Sequence, residues 1–327
     1  MRSIALCSSL GCACLCVAGA AAQTPAAKPA ASFPNKPIRI IIPYPPGGTS
    51  DILARLLGVK LTEAWSQSVL IDSRSGANGN IGSEFVARAP ADGYTLLFGS
   101  PIPVLLATRK DLPFTWDSFA GIAPVNKFGH VLAVAPSFAV KTFSDFIAHA
   151  KDNPGKLNYG TTGFGAVTHL GTELLAQAFG IKAVPVAFRG NNEALTALLS
   201  GHVQFVLLSP FFALPQYNAG NIVVLANIEP ERSPFFPGVP AMRELGHPDL
   251  VVEAQNGFVA PAGTPDDIVA KLSQQIRAAL RDLKVRSKIA DMNTEIVSAD
   301  PQDYSATTLA EISRWKEVVR KAGFQLQ

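Results

Sequence analysis

The residues best placed to do chemistry lie in two short runs that mix glycine with hydroxyls. Tyr44-Pro45-Pro46-Gly47-Gly48-Thr49-Ser50-Asp51 follows the apolar stretch 38–42, and Gly160-Thr161-Thr162-Gly163-Phe164-Gly165 follows Leu157-Asn158-Tyr159. Each run precedes a stretch with leucines three and four residues apart, so each reads as strand, tight turn and helix. Glycines leave the backbone N–H groups at a helix start unobstructed. With the positive end of the helix dipole, such donors form a site for an anion. The hydroxyls of Thr161 and Thr162 add further donors to the second run. For the first run a plainer alternative stays open: Pro45 to Gly48 only turns the chain, and Asp51 only caps the helix by reaching back to a loop N–H. A third junction of this kind follows Phe188-Arg189-Gly190-Asn191-Asn192.

Little else in the chain suggests covalent or metal chemistry. The sequence has no G-x-S-x-G, no P-loop and no H-E-x-x-H, and its five histidines (His130, His149, His169, His202, His247) are scattered. Gly76, Gly79 and Gly82 follow a strand without the G-x-G-x-x-G spacing of a dinucleotide site, and read as close packing of helix on strand. A Ser100–His169 pair acting with Asp51 on an ester is the one enzyme arrangement worth testing, as an exported hydrolase. The expectation is a protein that is not an enzyme, with no catalytic residue, metal or cofactor.

Stepping outward from the two runs, 28 basic residues against 25 acidic ones give a net charge of +3, and no Lys/Arg cluster marks a nucleic-acid surface. Residues 1–22 carry Arg2, an apolar run and the small pair Ala20 and Ala22, which predicts a cleaved signal peptide and hence a periplasmic chain; residues 23–32 read as a flexible leader. All four cysteines (Cys7, Cys12, Cys14, Cys16) fall in that signal, so the exported chain has no thiol for disulfide, metal or nucleophile. A lipid anchor at Cys12 is the alternative.

The remaining chain alternates strand and helix signals, as a mostly parallel sheet requires. Strands are expected at 69–71, 94–98, 131–135, 203–208, 222–226 and 257–260. Helices are expected to bury Ile81, Phe85 and Val86; Phe143, Phe146 and Ile147 behind a Thr142 cap; and Leu195, Leu198 and Leu199. Thr264-Pro265 and Asp300-Pro301 each read as an N-cap with proline at the first helical position. Trp315 reads as core packing, as do Phe211 and Phe212, with a place in the ligand cleft as their alternative.

Tyr44 through Arg55, Gly76-Ala77-Asn78-Gly79-Asn80-Ile81-Gly82, Ala87 through Leu96, Asn158 through Gly163 with His169-Leu170, and Ala260 through Pro265, taken in this order, resemble the extracytoplasmic solute receptors of tripartite tricarboxylate transporters, the Bordetella-uptake-gene type. The resemblance covers essentially the whole mature chain. It implies an α/β, two-lobed, type II periplasmic-binding-protein-like fold with a ligand cleft between discontinuous lobes: 33–134 with 258–327, and 135–257. It implies a monomeric receptor that closes on a small carboxylate and delivers it to membrane permease subunits, with no nucleic-acid partner. A ligand sensor for a membrane signalling partner needs the same cleft. Ligand-binding residues expected on this basis are Tyr44, Gly47, Gly48, Thr49, Ser50 and Ser100 from one lobe, and Thr161, Thr162, Gly163, Phe164, Gly165, His169 and Arg189 from the other. The chain departs from the family pattern in having Ala187-Phe188-Arg189-Gly190 where Pro-Tyr-Lys-Gly is common, and Gln204 where Asp is common. If they face the cleft, these changes favour more anionic or planar ligands.

Overall fold

The computed structural model describes residues 33–321 and 323. The expected signal peptide and leader, with all four cysteines, lie outside the described residues.

The run Ile38–Ile42 forms β1, with four of its five residues buried. It is a central strand: β2 (Val69–Ser73) and β3 (Thr95–Gly99) pair with it in parallel on either side. The helices α1 (Thr49–Trp65) and α2 (Asn80–Ala87) supply the crossovers. After α3 (Ile102–Thr108) the chain runs into β4 (Phe119–Gly129), a long strand that pairs antiparallel with β10 (Glu253–Pro261) and β11 (Glu295–Ile296). These six strands form one sheet in the order β11-β4-β10-β3-β1-β2.

The second sheet has the order β7-β6-β8-β5-β9, from β5 (Val131–Val134), β6 (Leu157–Thr161), β7 (Ala183–Ala187), β8 (Phe205–Leu208) and β9 (Val223–Asn227). Its helices are α4 (Phe143–Asp152), α5 (Val167–Phe179), α6 (Asn191–Leu199) and α7 (Pro210–Asn218). The strand at 131–134, which the sequence places at the end of the first lobe, hydrogen-bonds β8 and β9 and so belongs to this second sheet. The chain therefore crosses between sheets at Gly129–Val131 and returns between β9 and β10. His130 Nδ1 donates to the Val252 carbonyl at 2.9 Å and ties the two crossings together.

The C-terminal helices α8 (Asp266–Ala279) and α9 (Leu283–Asp291) cover the first sheet, with Leu272, Ile276, Val285 and Ile289 in the same core as β1. Helix α10 (Pro301–Lys321) serves both halves. Tyr304 and Ile312 pack with Leu97 and Val259 of the first sheet, whereas Trp315, Val318 and Val319 join Leu132 and Leu207 of the second.

Local signals are honoured in most places. The Thr142 hydroxyl accepts from the Asp145 N–H at 3.1 Å, and Asp300 accepts from the Asp303 N–H at 2.9 Å, so both caps form. Gly82 packs as read: a Cβ there would lie 3.0 Å from the Arg74 carbonyl oxygen and 3.1 Å from Pro43 Cα. Three details differ. Thr264 does not cap α8, because its hydroxyl donates back to the Pro261 carbonyl and the helix begins after Pro265. Ile81 is 52% exposed, since the short α2 buries Gly82, Ser83 and Val86 instead. Leu199, at the end of α6, is exposed as well.

Candidate functional site

A cavity of about 710 Å³ opens between the two sheets. That size accommodates a small organic ligand. Its walls are the loops where strands hand over to helices: 43–46, 48–51 and 75–79 with Ser100 and Pro101 from the first half, and 162–168, 188–192 and Ser209 from the second.

Of the residues expected to bind ligand, Tyr44, Gly48, Thr49, Ser50 and Ser100 line the cavity from one side, and Thr162, Gly163, Phe164, Gly165 and Arg189 from the other. Gly47, Thr161 and His169 do not. The Gly47 N–H donates to Asp51 Oδ2 at 3.1 Å, and Asp51 Oδ1 accepts from Arg55 at 3.0 Å, so Asp51 fixes its own turn. This pairing lowers the Asp51 pKa against a desolvation that works in the opposite direction. Tyr44 and Ser100 meet hydroxyl to hydroxyl at 3.4 Å, and burial pushes Tyr44 up to about 12, so it stays a neutral phenol.

The second loop is organised from below. Thr168 Oγ1 lies 3.0 Å from the Thr161 hydroxyl, 3.0 Å from the Thr162 N–H and 3.0 Å from the Thr162 hydroxyl. His169 Nδ1 accepts from the Gly165 N–H at 3.0 Å, while its ring stacks on Tyr159. Burial lowers the His169 pKa, which favours the neutral ring this bond requires. Thr161, Thr168 and His169 therefore shape the loop. The loop N–H groups of Gly163 and Phe164, and not those of Thr162 and Gly165, are the ones without a partner among the described residues. Replacing Thr168 with Val removes the hub at nearly constant volume. The expected cost is about 1.5 kcal/mol in urea unfolding, because the Thr162 N–H loses its acceptor.

The Ser100–His169–Asp51 triad does not assemble. Ser100 bonds Tyr44, Asp51 bonds Gly47 and Arg55, and His169 Nδ1 is taken by the Gly165 N–H. Gln204 is also spent elsewhere, its side-chain carbonyl accepting from the Asn158 N–H at 2.8 Å. Arg189 does reach the cavity, and its guanidinium makes no ion pair among the described residues.

Other lining groups carry weak sequence signals. Asn78, from the turn before α2, donates its Nδ2 to the Phe164 carbonyl and so bridges the two sides of the cavity. Asn256 of β10 accepts from Ser50 at 3.1 Å and donates to Asn126 at 3.1 Å. His130, Ser209, Phe128, Phe188 and Phe212 complete the walls; Phe211 packs against both neighbouring cores instead. Only the context of the fold brings these together, although the Asn191-Asn192 pair was visible as a third junction.

Residues 53–324 match the tripartite tricarboxylate transporter family receptor. The chain belongs to that family. The receptor is 33% identical to BugT of Bordetella pertussis over 302 residues, which is 90% of this chain and 92% of that one. Among solved structures it resembles the periplasmic binding protein BugD, with a TM-score of 0.84 and 27% identity over 90% of this chain and all of that one. Rpa4515 of R. palustris, solved with adipate, gives 0.83 and 32% identity, covering 89% of this chain and 98% of its own. MatC of Rhodopseudomonas palustris, solved with bound malate, gives 0.81 and 30% identity over 88% of this chain and all of its own. The two-lobed α/β fold is shared with these neighbours, which are solute-binding receptors and not enzymes. Among the described residues of the receptor, no helix is long and apolar enough to cross a membrane.

Proposed function

We propose that the receptor works in the periplasm, closes on a small dicarboxylate held between its two lobes, and presents it to membrane permease subunits. The observation that carries this reading is the charge balance of the cavity. Asp51 is neutralised by Arg55, and Arg109 by Asp111, which leaves Arg189 as the one uncompensated charged side chain among the lining residues described. The first turns of α1, α5 and α6 open onto the same space, each adding positive potential and free N–H groups. A ligand with one anionic end at Gly48-Thr49-Ser50 and another at Gly163-Phe164 with Arg189 satisfies both sides at once. Such a ligand rewards closure, because each lobe alone holds only half of it. The adipate and malate bound by Rpa4515 and MatC have this two-headed form.

Thermal melting of the mature protein against dicarboxylates, tricarboxylates, acidic amino acids and aromatic acids tests the reading. A ligand at a hundred times its Kd adds about 2.7 kcal/mol. For a protein of this size the expected gain in Tm is about 5 °C. Dicarboxylates are expected to give the largest shifts; a shift confined to uncharged solutes would overturn the proposal. Uptake that depends on the permease subunits tests the delivery step.

A further inference from the structure

The hinge side of the cavity carries a polar pair that no carboxylate head requires. In the β5–β8 pairing Val131 faces Leu208 and Leu132 faces Leu207; carried one residue beyond the ladder, that register sets His130 opposite Ser209. Facing residues of an antiparallel pair bring their side chains to within about 5 Å. Both residues line the cavity and both are buried, at 4% and 2% exposure.

The hydrogen bond to Val252 fixes the chemistry of the histidine. A carbonyl oxygen only accepts, so Nδ1 carries the proton and Nε2 is left as a bare acceptor. Burial pushes the His130 pKa down to about 4, so the ring is neutral around pH 7. The Ser209 hydroxyl, at the N-cap of α7, makes no capping bond and has no partner among the described residues. Phe128 and Phe212 flank the pair, and Phe128 lies 5.6 Å from the imidazole.

Resting on the dicarboxylate reading, we propose that His130 and Ser209 form a subsite for a hydroxyl group on the ligand, so that this receptor selects hydroxylated over plain dicarboxylic acids. The hydroxyl donates to His130 Nε2 and accepts from the Ser209 hydroxyl. An ammonium group fits less well, because the one lining carboxylate, Asp51, is already held by Arg55 and Gly47. A ligand without a donor leaves two buried polar groups facing methylene, and that omission is penalised more heavily than an ordinary contact is rewarded.

Calorimetric titration with succinate against malate and tartrate, and with adipate against 2-hydroxyadipate, tests this at pH 7.5. In at least one chain-length series the hydroxylated acid is expected to bind about tenfold tighter or more. Ser209→Ala should shrink that ratio toward one while leaving the plain acid within about threefold of its wild-type affinity; His130→Leu should shrink the ratio as well, together with a general loss of affinity, because it also cuts the tie to Val252 between the two crossings. Ser209→Ala removes a hydroxyl with no partner, so it decides the matter even where His130→Leu fails to fold. Equal wild-type affinity for both members of every pair that binds, or a ratio untouched by Ser209→Ala, overturns the subsite and leaves the dicarboxylate reading standing. Binding of none of these acids overturns both.

Discussion

Replacing Gly163 with Ala is expected to weaken ligand binding by about 100-fold, equivalent to about 2.7 kcal/mol, while leaving both cores intact. Gly163 has φ +138°, a conformation that a Cβ strains whatever the space around it. A Cβ there would also overlap the side-chain carbonyl of Asn78. Asn78 is the residue that reaches across to the Phe164 carbonyl. The substitution therefore strains the loop and drives off its partner on the facing wall, and both effects disfavour the arrangement in which the two sides share one ligand. Apparent affinity falls with the population of that arrangement. Asn78→Ala, which removes the bridge without the strain, is expected to cost only about fivefold. Titration calorimetry on both variants checks the order. A Gly163→Ala protein that binds as wild type, with an unchanged near-ultraviolet spectrum, would show that this loop does not need its observed shape.

The second large effect concerns stability. Trp315→Ala is expected to cost about 4 kcal/mol, because a fully buried indole leaves a cavity that its surroundings fill only in part. The loss should fall on the second sheet, whose core Trp315 shares with Tyr159, Phe205 and Leu207. Arg314 lies over the same indole at 4.6 Å and donates to the Val251 carbonyl at 2.9 Å, so the helix is also tied to the return crossing. Scanning calorimetry should show a Tm lower by about 8 °C. Ile312→Ala, three residues earlier on the same helix, should instead weaken the first-sheet cluster it packs in. A Tm within 1 °C of wild type for Trp315→Ala would contradict the packing described.

Elements dense in apolar residues were legible from sequence, as β1 and β8 show. The longest strand, β4, was not. Its sequence FAGIAPVNKFG contains two glycines, a proline and a lysine that argue against a strand. It forms because its pairing with β10 slips next to Pro124, in the register shift between Asn256 and Gly257, where the missing N–H disrupts no regular ladder. The fuller extent of β10, read only as 257–260, has the same origin. The short α3 has no side-chain cap and is set by tertiary packing, whereas α9 is capped by Asp282, which accepts from the Lys284 and Val285 N–H groups, but is only nine residues long.

The candidate site divides in a similar way. Glycine-rich turns announce themselves, and both sequence-identified loops reach the cavity. The turn-fixing role of Asp51 was open to a sequence reading, but those of Thr168 and His169 were not, because whether an N–H is free depends on its neighbours. Asp51 takes that of Gly47, Thr168 that of Thr162, and His169 that of Gly165. His130 and Ser209 are 79 positions apart and line one cavity only through the fold, which no pattern near either residue encodes.

Because α10 starts on one half of the molecule and finishes in the core of the other, the two ends of the described chain sit on different lobes. Phe33 packs with β1, and Val318 and Val319 pack with β5 and β8. Under the proposed closure, a pair of fluorescent dyes attached near these ends would change separation. No cysteine occurs between residues 33 and 327, so single introduced thiols can be labelled without competition. If the proposed closure on an acid holds, the fold is in this sense already wired as an optical sensor for it.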